Sequence, residues 1–183
     1  ADATAPLATM SQYLTASPVG AMLGGAFNGA NAAGDASLNL KLAIPLTGNK
    51  KTRVDGLLTF GNNAFDMHWP VPPLTNLNGK LRFTESGATS EKLTATALNA
   101  PVTATVTTDE NRRIRIEAQS RLAPDSVHFF VNTELTKALT AYAKGQTDIS
   151  VDIDIVSGKG VTVSAATDLK GIELTLPAPV SYT

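Results

Sequence analysis

Residues 147–156 read TDISVDIDIV. Ile149, Val151, Ile153 and Ile155 take every second position, and Asp148, Ser150, Asp152 and Asp154 fill the places between. A two-residue period puts the aliphatic set on one face and the polar set on the other, which predicts a half-buried β-strand rather than a helix. Asp148, Asp152 and Asp154 on one face raise the question of a cation site. A solvated strand face that also discourages edge pairing accounts for them more simply.

The same pattern recurs on both sides of this strand. Downstream, KGVTVSA at 159–165 offers Val161 and Val163, and KGIELTLP at 170–177 offers Ile172, Leu174 and Leu176 before Pro177 stops the run. Upstream, SLNLKLAI at 37–44 places Leu38, Leu40, Leu42 and Ile44 opposite Asn39 and Lys41. TRVDGLLTF at 52–60 groups Val54, Leu58 and Phe60, with Gly56 on the same side as a candidate bend or bulge. GKLRF at 79–83 gives Leu81 and Phe83, and RRIRIEA at 112–118 gives Ile114 and Ile116. KLTATALNAPVTATV at 92–106 reads as two short strands broken near Asn99-Ala100-Pro101. The turn-forming residues between these runs suit consecutive antiparallel hairpins.

Helices are few. Residues 1–33 read as a lead-in of short helices or irregular chain, with Leu7, Met10 and Leu14 on one face after Pro6 and a second short helix opened by Pro18. A clearer helix is predicted over 132–144, with Asn132 as N-cap, an apolar stripe of Leu135, Leu139 and Tyr142, and Lys144-Gly145 as the stop. The rest, 34–180, is predicted to form one β domain. The fold class is mainly β, or β-rich α+β: a strongly curved antiparallel sheet forming a groove or sandwich-like trough, with a few short helices.

So much one-sided sheet needs a cover. A helix covers a strip about 10 Å wide while neighbouring strands lie about 4.8 Å apart, so these few short helices cannot shield eight to ten strands. The uncovered remainder faces another sheet, folds onto itself, or faces a ligand. The apolar set is aliphatic, and the chain has only ten aromatic residues (six Phe, three Tyr, one Trp), which argues against sugar platforms or base-stacking grooves. An aliphatic groove suits alkyl chains, and a core packed side chain against side chain is the simpler alternative on composition alone.

Other classes are excluded more directly. A formal net charge of −1 gives no electrostatic case for nucleic acid or an anionic surface, and with no cysteine there is neither a disulfide nor a thiolate metal site. No apolar run reaches the length of a membrane-spanning helix. ADATAPLATM at the start lacks the layout of a signal peptide, and the expectation is a piece of a longer chain. The two histidines, His68 and His128, belong to no nucleophile elbow or metal-spaced pair, and no phosphate-binding loop is present. The sequence therefore predicts no enzyme, no cofactor and no metal. RRIR at 112–115 reads as a wet strand face, and Trp69 in HWPVPPL as a residue packed over a proline-rich turn.

TDLKGIELTLPAPV at 167–180 resembles a recurrent signature of the YhdP branch of the AsmA-like envelope proteins, in which a Ser/Thr-Asp-Leu-x-Gly strand ends in Leu-Pro-x-Pro-Leu. YLTASPVGAML at 13–23, GDASLNLKLAIPL at 34–46, TRVDGLLTFGNNAF at 52–65 and PPLTNLNGKLRFTESG at 72–87 resemble further family segments in the same order. Val180 stands where leucine is usual, and Thr167 where serine is commoner. The resemblance implies a periplasmic β-groove segment of a long protein anchored in the inner membrane of a Gram-negative bacterium, moving phospholipid towards the outer membrane. It makes a lipid-facing groove the favoured reading, with phospholipid or another acyl-chain lipid and adjacent segments of the same chain as partners. A closed structural module that binds no lipid is the alternative.

Overall fold

The computed structural model describes residues 2–9, 30–43, 53–67, 71–156 and 160–175. Met10, Leu14, the second expected helix, Ile44, His68, Trp69 and Leu176 lie outside them.

The described residues form an antiparallel sheet of ten strands in nearly sequential order. They are β1 (Asp2–Pro6), β2 (Asn31–Ala33), β3 (Asp35–Ala43), β4 (Arg53–Asp66), β5 (Leu74–Thr84), β6 (Gly87–Ala97), β7 (Ala100–Thr108), β8 (Ile114–Leu122), β10 (Thr147–Val156) and β11 (Gly160–Thr167). β1 and β11 form the two edges, the sheet is not closed, and β2 pairs with the far end of β4 beside β3. A separate two-stranded ribbon joins β9 (Ala143–Gly145) to β12 (Ile172–Leu174). The mainly-β class read from the two-residue period is the class observed.

Local chemistry fixes the hairpins. Leu98 and Asn99 both take positive φ, the conformation of a two-residue hairpin turn whose twist matches the flanking strands, and Ala97 faces Ala100 across it. At the Glu85–Ser86 turn, Val54 N–H donates to the Glu85 carboxylate at 2.9 Å and ties the hairpin to β4. Asn63, fully buried, marks a register shift between β4 and β5. Its Nδ2 donates to the carbonyls of Ala33 and Asp35 at 3.3 and 3.1 Å, and its Oδ1 accepts from Gly61 N–H at 2.8 Å. One side chain thus holds β2 and β3 against the same strand.

Three expectations need correction. The lead-in begins as a strand, and β1 and β2 both join the large sheet, so no boundary at 33/34 separates lead-in from β domain. Edge pairing is made by backbone groups and needs no apolar alternation to announce it. Gly56 carries no bulge, because β3, β4 and β5 keep regular register through it. Finally, the 132–144 helix is shorter, α1 (Glu134–Ala141), and its N-cap is Thr133, which exchanges hydrogen bonds with Thr136 in a capping box. No residue of α1 is buried: Leu135 is 68% exposed, and Leu139 and Tyr142 are exposed too. Lys144-Gly145 belongs to β9, and a 3-10 helix over Pro124–Phe129, not expected from the sequence, precedes α1.

Candidate functional site

The sheet curls around its apolar face. β4 and β11 are six steps apart in the sheet, roughly 29 Å if flat, yet Leu58 of β4 and Val163 of β11 line the same cavity of about 390 Å³. That cavity is the strongest candidate site among the described residues.

Strand register shows how it is floored. One row of cross-strand neighbours runs Ala36, Phe60, Gly79, Leu93, Ala104, Ala118, Val151, Ala165, from β3 to β11 without a break. From Phe60 to Val151 every member is half-buried, and Ala165 at the β11 edge is exposed. The parallel row Val102, Ser120, Ile149 is half-buried as well. On either side the strand ends are dry. Phe83, Ala88, Val106, Ile114 and Ile155 are buried toward the Glu85–Ser86 and Asp109–Arg113 turns, and Ala97, Ala100, Leu122 and Thr147 are buried at the opposite ends. The open space is therefore a trough running across the strands between two packed flanks. Its floor is bulky at Phe60 and Leu93 and shallow-walled where Ala104, Ala118 and Ala165 follow.

The residues singled out by alternation divide. Leu58, Phe60, Leu81, Phe83, Ile114, Ile116, Ile149, Val151, Ile153 and Val163 line the trough. Val54 is buried, and Leu38 and Leu40 pack against the same core from β3 without lining the cavity. Leu42 and Val161, at the ends of β3 and β11, are exposed. Ile172 and Leu174 are on the small ribbon instead of the large sheet, Leu174 with 63% of its surface exposed, so the assumption that every period-two run shared one face fails there. Phe65, Leu77, Leu93, Val102, Ala104 and Ala118 line the trough and were not singled out. The Thr/Ala and Thr/Val alternation of 94–106 carries the signal for two of them, Val102 and Ala104, muted by the small size of the alanines in the run. Phe130, after the 3-10 helix, also reaches the lining, with its ring edge-on to Phe129 at 5.0 Å between centroids.

The polar faces of the strands point away and pair with one another. Arg82 meets Asp55 through two hydrogen bonds of 3.0 Å, Arg115 meets Asp154 at 3.3 Å, and Arg121 meets Asp148 at 3.6 Å. Two of the three aspartates of β10 thus meet arginines of β8 directly opposite, Asp148 with Arg121 and Asp154 with Arg115, while Asp152 lies opposite Glu117. Among the described residues no cluster of three His, Asp or Glu could hold a metal. His128 Nε2 lies 2.9 Å from Thr140 Oγ1, a contact that staples the 3-10 helix to α1. What this arrangement offers chemically is an aliphatic surface with no charged side chain among the described residues that line it.

No helix of the described residues is long and apolar enough to cross a membrane. No solved structure matches the chain. The family model described as "YhdP protein" matches residues 1–182. Among curated proteins, the "Intermembrane phospholipid transporter YhdP" of Escherichia coli is 26% identical over 184 residues, 99% of this chain and 14% of that protein. The chain thus spans about one seventh of the length of that relative. With the family model matched along nearly its whole length, the chain belongs to the YhdP family.

Proposed function

We propose that this chain is one segment of a periplasmic lipid-transport protein, anchored in the inner membrane in its full-length form, whose trough carries acyl chains of phospholipid on their way to the outer membrane. The observation that carries this reading is the uninterrupted half-buried apolar row from Phe60 to Val151, opening at Ala165 on the edge strand. The relative's printed function supports it. A sixteen-carbon chain in water costs on the order of 12 kcal/mol at about 0.8 kcal/mol per methylene. A lining that replaces water along the path removes much of that barrier, and no reacting group is needed.

Photo-crosslinking tests the reading. A photoreactive residue at 151 or 163 should capture lipid, and one at 152, on the outer face, should not. Organic extraction of the purified protein should release phospholipid or fatty acid. Equal labelling of both faces, or no lipid in a folded protein by either method, would point to the closed structural module.

A further inference from the structure

The trough and the outer face of its sheet divide the charges between them. Among the described residues lining the cavity none is charged, and the polar ones are Thr94, Gln119 and Ser120. Ser120 Oγ already donates to the carbonyl of Pro101 at 2.9 Å. The strand backbone donors along the floor are engaged in the sheet ladder. The arginines of β5 and β8 named above are on the other face, each held by an aspartate. A phosphate or carboxylate enters an apolar lining only where Arg, Lys or free N–H groups receive it. Among the described residues lining the trough nothing receives it.

We propose that the trough takes any unbranched aliphatic chain regardless of the group at its head. Free fatty acids and uncharged acylglycerols are then ligands on the same footing as phospholipids, a wider class than the relative's name covers. This rests on the acyl-chain reading above and sharpens it: selection is by chain length alone, and the head group stays in water. Binding should accordingly be insensitive to salt, since no ion pair forms.

The test uses the full 183-residue chain and an anthroyloxy-labelled stearate as fluorescent probe. Competitors share one sixteen-carbon chain and differ at the head: palmitate, monopalmitoylglycerol, and the palmitoyl lysophospholipids of ethanolamine and glycerol. Half-displacement concentrations are expected within about threefold of each other, and unchanged between roughly 50 and 500 mM NaCl. Shortening the chain to twelve carbons should weaken competition at least about tenfold, four fully buried methylenes corresponding to about two-hundredfold. A preference beyond about tenfold for the phosphate-bearing lipids at equal chain length, abolished by salt, would overturn head-group indifference while leaving the acyl-chain reading intact. Failure of the probe and every lipid to bind the folded protein would overturn both.

Discussion

Phe83 occupies the space that a side chain at position 56 would need. The two residues face each other across β4 and β5, and a β-carbon built on Gly56 would overlap the Cζ end of the Phe83 ring. Phe83 is 3% exposed and anchors the dry flank of the trough. Gly56→Ala should therefore cost about 1–3 kcal/mol through overpacking. Phe83→Leu in the Gly56→Ala background should cost less than the sum of the two single changes. Thermal unfolding of the four proteins of this cycle checks the coupling, and simple additivity would show that the ring moves aside freely.

Filling the trough should separate binding from folding. Ala118 sits on the floor between Ala104 and Val151, beside about 390 Å³ of open space. Ala118→Trp is expected to keep the native circular dichroism and to weaken acyl-chain binding by about tenfold or more. Glu117→Trp, on the outer face, should bind as the parent does. Unimpaired binding by the folded Ala118 variant would mean that chains do not pass over this floor.

The acidic face of β10 should be dispensable. Asp152→Asn combined with Asp154→Asn removes one partner of Arg115 at the surface, and its effect on stability is expected to stay within about 1 kcal/mol. Acyl-chain binding should be unchanged. A large loss in either measurement would return the aspartates to consideration as a site.

The Glu85 carboxylate supplies a pH signature. Its hydrogen bond from Val54 N–H, then one from its own backbone, holds it below the usual glutamate range. A lowered folded-state value means that its contribution is complete above the unfolded value, near pH 4.3, and is lost as pH falls through the lower folded value. The Val54 amide resonance should titrate with a midpoint below that of an exposed glutamate, and Glu85→Gln should abolish the titration.

The apolar stripe of α1 should contribute little to stability. Leu135 and Leu139 are more than half exposed, so Leu135→Gln with Leu139→Gln should change stability by less than about 0.5 kcal/mol. Sedimentation of the variant against the parent would show whether these leucines drive self-association at high concentration.

The legible parts of this fold are those where burial and alternation coincide. Ile149, Val151, Ile153 and Ile155 announce β10, and all four line the trough. The same alternation misplaces Leu174, because a two-residue period fixes which side chains share a face but not which sheet the strand joins. β1 escaped notice because an edge strand held by its backbone carries no side-chain signature. α1 shows the converse: helical spacing of Leu135, Leu139 and Tyr142 is real, yet no layer of the described structure covers them. Ala104 and Ala118 were overlooked since a small residue on a strand reads as neutral filler, whereas across neighbouring strands such residues leave the space that makes a trough.

Because the trough runs across its strands, its reach is counted in hairpins and not in residues. Each antiparallel pair contributes roughly 10 Å of floor. Losing or gaining a whole hairpin such as β6–β7 would shorten or lengthen the conduit in fixed increments and leave every remaining side chain on its own face. Deleting one residue inside a strand would instead turn its aliphatic set outward and place polar groups on the floor. The fold therefore tolerates a change of length in hairpin steps or within the turns, and not by single residues inside a strand.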